Sequence, residues 1–75
     1  MNKTLKALLI QKAGTVGKAS LESGINSVSM SGIINNRIIP NSHELDLLMK
    51  YVGVSKIEDL GYDKTMIKIL TGERP

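Results

Sequence analysis

Few side chains of this 75-residue sequence are suited to covalent or metal chemistry. There is no cysteine and one histidine, His43, which excludes disulfides, thiolate ligands, cysteine nucleophiles and histidine-rich metal sites. Serines are numerous, but no histidine and aspartate accompany them at a spacing typical of a hydrolase. The acids Glu44, Asp46, Glu58 and Asp59 are scattered, and they suit helix N-termini better than acid/base catalysis. We therefore expect no catalytic residue, cofactor, metal or small-molecule ligand.

Charge and composition favour a binding function instead. Lysine and arginine number 10 against 7 acidic residues, a net charge of +3, and a basic excess favours a polyanionic partner. Only Tyr51 and Tyr62 are aromatic, which disfavours the base-stacking platforms of single-strand binders. No apolar run approaches the roughly 18 residues of a membrane span, and the stretch 5–10, interrupted by Lys6, is too short for a signal peptide. We expect a cytoplasmic protein without a membrane partner.

Glycines, one proline and capping residues divide the chain into short segments whose apolar residues have helical spacing. We predict helices over 4–13, 15–23, from 26 or 27 to about 35, and 42–52, then a short turn at 56–60. The predicted N-caps are Asn2 or Thr4, Thr15, Asn26 or Ser27, and Asn41 with Glu44 as a capping box. The predicted core contains Leu9, Met30, Ile33, Leu45, Leu48 and Met49.

The segment 63–72 is compatible with two structures. The Asp63 cap and the Gly72 stop favour a helix, on which its apolar residues span one broad arc. On a strand, Ile67 and Ile69 would share one face. We favour the helix.

The second and third predicted helices form a recognisable pair. They are separated by a turn at Gly24, the first presents the small residues Ala19 and Ser20, and the second carries polar residues. Two short helices with these properties suggest a helix-turn-helix.

The stretch 15–40 resembles the helix-turn-helix of the lambda-repressor-like family, the small DNA-binding domains of phage repressors and Cro proteins. The resemblance rests on the turn, the first helix and the anchors of the second, namely Gly24 and Ile25, Ala19 and Ser20, and Met30 and Ile33. It extends over residues 5–60. One departure is Val16, followed by Gly17, where the family often has a glutamine that contacts a phosphate.

The resemblance implies an all-α fold. Residues 1–60 would form a compact five-helix lambda-repressor-like domain, and residues 61–75 an extension with a short C-terminal helix. The extension either folds back on the domain or pairs with a second copy, since small Cro-like proteins dimerise through this segment. The dimerisation candidates are Met66, Ile67, Ile69 and Leu70.

The resemblance also implies a sequence-specific regulator of transcription that binds double-stranded DNA as a homodimer, most simply a phage or prophage Cro-like repressor that occludes a promoter. The base-contact candidates are Asn26, Ser27, Val28, Ser31 and Gly32, of which Gly32 would let the backbone approach DNA closely. The phosphate-contact candidates are Thr15, Lys18, Asn35, Asn36 and Arg37.

Two alternatives remain open at this point. Residues 26–32 could be an ordinary polar helix face, and Lys18 an ordinary solvated lysine. The chain would then be a protein-interaction helix-turn-helix, antitoxin-like or antirepressor-like, without an operator of its own. A third hypothesis is an architectural protein that bends DNA with little sequence preference.

Overall fold

The computed structural model describes residues 1–72, which fold into helices joined by short turns and contain no strand. The elements are α1 Lys3–Ala13, α2 Val16–Ser23, α3 Ser27–Ile34, α4 Ser42–Val52, a 3-10 helix at Ile57–Leu60, and α5 Lys64–Leu70. The all-α prediction is therefore confirmed for the described residues. None of the helices in this part of the chain has both the length and the apolar character needed to cross a membrane.

Local side-chain caps explain where the helices begin. The side chains of Asn2, Thr15 and Asn26 each accept a backbone N–H from the first turn of α1, α2 and α3. At α4 the predicted capping box is complete, because Asn41 Oδ1 accepts the Glu44 N–H at 2.8 Å and Glu44 Oε1 accepts the Asn41 N–H at 3.0 Å. These bonds satisfy N–H groups that a helix leaves unpaired at its N-terminus.

The hydrophobic core lies where α1, α3, α4 and the 3-10 helix meet. The large side chains that are fully buried there are Leu5, Leu9, Met30, Ile33, Leu48 and Leu60. Burial of each contributes on the order of 1.5–3 kcal/mol relative to exposure. Leu45 belongs to the same core, whereas Met49 is only partly buried at its edge.

Asn2 ties three elements together although it precedes the first helix. Its Oδ1 accepts the Leu5 N–H at 3.0 Å, its Nδ2 donates to the Leu60 carbonyl at 2.9 Å, and its N–H donates to the Ile34 carbonyl at 2.6 Å. The start of α1 is thereby held against the end of α3 and the 3-10 helix. Gly61 permits this approach, because a Cβ on it would lie 2.6 Å from Asn2 Oδ1.

The C-terminal segment is a helix, which decides between the two structures that its sequence allowed. Asp63 Oδ1 accepts the Met66 N–H at 2.9 Å and caps α5. The helix packs against the 3-10 helix, with Met66 and Leu70 half-buried and Ile69 exposed. Residues 73–75 of the predicted extension lie outside the described residues.

Candidate nucleic-acid interface

A tight turn sets α3 against α2. Gly24 adopts the left-handed conformation with φ 84°, and its N–H donates to the Ser20 carbonyl at 3.1 Å. Ser23 Oγ donates to the same carbonyl at 3.3 Å and accepts the Ile25 N–H at 3.4 Å. Ile25 is buried, so its side chain anchors the turn in the core and fixes the direction in which α3 leaves.

One face of α3 is buried and the opposite face is small and polar. Met30, Ile33 and Ile34 enter the core, as the spacing of the first two predicts. On the other side Ser27 is exposed, Val28 is 78% exposed and Ser31 is half-buried. The exposed residues of this face carry no charge, so it presents hydroxyl groups and one branched apolar side chain.

The Asn26 side chain is partly engaged in capping α3. Its Oδ1 accepts the Ser29 N–H at 2.8 Å, which leaves the Nδ2 hydrogens as the free donors. A bidentate contact with adenine uses both the oxygen and the nitrogen of an asparagine amide. The cap therefore favours donation to a phosphate oxygen over an adenine contact.

Gly32 is buried and does not lie on the exposed face of α3, which corrects the placement that helical spacing predicts. Asn36 takes φ 60° after α3, its N–H donates to the Ile33 carbonyl, and the Arg37 N–H donates to the Gly32 carbonyl at 2.8 Å. These are the two hydrogen bonds of a Schellman motif. The motif turns the chain back over α3, where the Ile38 side chain covers Gly32 and buries it. The signal in the sequence is Asn36 at the helix end with an isoleucine, Ile38, two residues later.

The phosphate-contact candidates fall into two groups. Thr15 caps α2 by accepting the Lys18 N–H at 3.1 Å, and both residues are exposed. In the second group, Asn35 Nδ2 donates to the Ser31 carbonyl at 3.0 Å, whereas the side chains of Asn36 and Arg37 are exposed. Lys18 and Arg37 are therefore accessible cations on the elements that flank α3.

A polar contact between side chains joins α2 to α4. The Tyr51 hydroxyl donates a hydrogen bond to Glu22, and this bond raises the pKa of Tyr51 to about 12. Lys12 Nζ lies 5.9 Å from the centroid of the same ring. The Glu22 carboxylate is thus directed towards α4 and engaged there.

The dimerisation candidates on α5 lie beside a cleft that polar and apolar residues line together. Ile69 is 50% exposed, while Met66, Ile67 and Leu70 are half-buried. Met66 lines a cleft of about 380 Å³ together with Ile38 and with Ile39, which is 55% exposed.

In the part of the chain that the structure describes, the histidine and the carboxylates do not gather into a metal site. His43 is exposed on α4. Within residues 1–72, His, Asp and Glu side chains form no group of three or more that could hold a metal ion. Comparison of the chain with protein-family models, curated proteins and solved structures gives no significant match.

Proposed function

We propose that this protein binds double-stranded DNA in a sequence-specific manner through a helix-turn-helix of the lambda-repressor-like type, with α3 as the recognition helix. The observation that carries the proposal is the uncharged, small and polar face of a short helix that follows a tight turn. A helix with such a face fits the major groove of B-DNA, which is about 12 Å wide, and brings its N-terminal residues to the base edges.

The exposed side chains of α3 suit modest base discrimination. Ser27 and Ser31 hydroxyls can donate to or accept from either type of base pair, and Val28 can contact a thymine methyl group. This face has no arginine or glutamine, so few bidentate base contacts are available. Part of the specificity is then expected from the shape and deformability of the DNA.

Affinity would come from phosphate contacts. Lys18 on α2 and Arg37 in the loop after α3 are exposed cations. Thr15, Asn35 and Asn36 add hydrogen-bonding groups. Neutralisation of phosphates releases counterions, so binding should weaken as salt increases.

The regulatory role follows from the same proposal. A homodimer joined through α5 would place two recognition helices on half-sites about one helical turn apart. Bound at a promoter, such a cytoplasmic dimer would repress transcription by excluding polymerase, as a Cro-like phage or prophage repressor does.

Selection of bound sequences from a pool of random duplex DNA, at two salt concentrations, tests this proposal. Recovery of a two-fold symmetric site, bound more weakly by Arg37→Ala than by the wild type, is the expected result. Salt-sensitive binding without a preferred sequence would point to an architectural role instead. Absence of binding at low salt would refute DNA binding, because phosphate contacts are strongest there.

The exposed Leu21 supports one alternative, a helix-turn-helix that binds a protein. Leu21 is 85% exposed on α2 and lines a shallow depression with Gly17 and Ile25. An apolar residue at this position suits a protein contact better than a phosphate contact. Under this alternative the selection recovers no sequence, and Leu21→Ser abolishes partner binding while Arg37→Ala leaves it unchanged.

A further inference from the structure

A notch of about 200 Å³ lies where α1, α2 and α3 meet. Its walls combine one lysine, two polar side chains and three apolar ones, namely Lys6, Ser31, Asn35, Met1, Val16 and Ile34. No lining residue is acidic. Because Ser31 also belongs to the exposed face of α3, the notch borders the surface proposed to meet DNA.

The way α1 is anchored brings Lys6 to this notch. The Asn2 N–H donates to the Ile34 carbonyl at the end of α3, and the Lys6 N–H donates to the Asn2 carbonyl at 3.1 Å in the first turn of α1. Lys6 is half-buried, unlike the exposed Lys3 and Lys12 on the same helix. A lysine whose stem packs on apolar side chains keeps its ammonium at the surface and loses less freedom when it binds an anion.

Nothing in the described chain neutralises this lysine. Within residues 1–72, no acidic side chain lies within ion-pair distance of Lys6, whereas Lys56 pairs with Glu58 at 3.9 Å. The Lys6 charge is therefore available to an external anion.

Two further donors accompany the lysine. Ser31 Oγ accepts an N–H of Asn35 at 3.4 Å, which leaves the hydroxyl hydrogen free to donate. Val16 is the first residue of α2, where backbone N–H groups have no acceptor within the helix and the helix dipole favours negative charge. A cation, a hydroxyl and a helix start thus line one small concavity.

We propose that this notch binds one phosphate of the DNA backbone, with Lys6 supplying the charge and Ser31 a hydrogen bond. This inference rests on the proposed function, and it adds α1 to an interface that the sequence confined to α2, α3 and the loop after them. It also changes the role of Ser31, which contacts the DNA backbone and so fixes the register of the protein on the duplex, rather than contacting a base edge. Base readout then falls to the N-terminal half of α3.

The salt dependence of binding tests the notch directly. Fluorescence anisotropy would measure the affinity of wild type, Lys6→Gln and Lys12→Gln for a labelled duplex with the selected sequence, or a random-sequence duplex if none is selected. Lys12 is the matched control, since it lies on the same helix and lines a different notch with Leu8 and Val52. Thermal unfolding of each variant checks that both remain folded.

Each phosphate contact that is lost makes the slope of log affinity against log salt shallower by about 0.9, so a homodimer that loses one contact in each subunit changes by about 1.8. We expect that change for Lys6→Gln and the wild-type slope for Lys12→Gln. Equal slopes for the two variants would overturn the notch and leave the proposed function standing. If the wild type binds no duplex at low salt, both proposals fail together.

Neutral phosphate analogues provide a second measurement. Single methylphosphonate substitutions placed along the duplex should include one that weakens the wild type and has no further effect on Lys6→Gln. Such non-additivity identifies the phosphate that Lys6 contacts. Additive effects at every position would show that Lys6 contacts no single phosphate and would overturn the inference.

Discussion

Substitution of Gly32 by alanine tests the packing of the loop on α3. In an open helix the change would stabilise the protein by about 1 kcal/mol, because alanine is the better helix former. Here a Cβ on Gly32 would lie 2.6 Å from Ile38 Cγ1 and 3.2 Å from Ile38 Cβ. Overpacking of this kind costs about 1–3 kcal/mol. The difference between the two effects predicts a net destabilisation of up to about 2 kcal/mol.

Two control variants separate the clash from the helix propensity. Gly17 also lies in a helix, and a Cβ on it would meet nothing within 4 Å, so Gly17→Ala should not destabilise the protein. When Ile38 is first replaced by alanine, the space beside Gly32 opens. Gly32→Ala should then stabilise that background by up to about 1 kcal/mol. The coupling between positions 32 and 38 is the difference between the two backgrounds.

Thermal and urea unfolding measure this coupling in four proteins: the wild type, Gly32→Ala, Ile38→Ala and the double variant. For a domain of this size a change of 1 kcal/mol shifts Tm by about 4–8 °C. If Gly32→Ala raises Tm equally with and without the Ile38 side chain, Ile38 does not cover Gly32. Gly32 would then be open on the α3 face, as the sequence alone predicts.

Three other predictions concern stability, titration and assembly. Asn2→Ala should destabilise the protein by about 2–4 kcal/mol in urea unfolding, because it removes the α1 cap and a buried donor to the Leu60 carbonyl, whereas Asn2→Ser, which keeps a capping oxygen and buries no charge, should cost less. Phenolate absorbance should show that Tyr51 ionises near pH 12 in the folded protein. The stability that its bond to Glu22 contributes is therefore complete below the ordinary tyrosine pKa of 10.0 and is lost as the pH rises through about 12. Titration of Tyr51 near pH 10 in the folded protein would contradict this bond. Ile69→Glu should abolish dimers in analytical ultracentrifugation with little change in Tm, since Ile69 is half-exposed, and an unchanged dimer would exclude α5 from the interface.

The helix limits were predictable because the groups that set them are close together in the chain. Asn26 caps α3 by accepting the N–H of the residue three positions later. Asn41 and Glu44 each accept the backbone N–H of the other across one turn. Gly24 ends α2 in the left-handed conformation that glycine adopts without steric cost. The Asp63 cap, which also acts within one turn, likewise favours a helix for the last segment.

The surroundings of Gly32 and Lys6 were decided by tertiary structure. Helical spacing placed Gly32 on the outer face, but the loop after Asn36 folds back and Ile38 covers it. Lys6 is one of several lysines in the sequence, and only the packing of α1 against α2 and α3 sets it in a notch beside Ser31. Caps and periodicity report bonds within one helix or turn, so they specify which residues share a face. Which neighbour covers that face depends on contacts between segments distant in the chain, and these form only when the core is assembled.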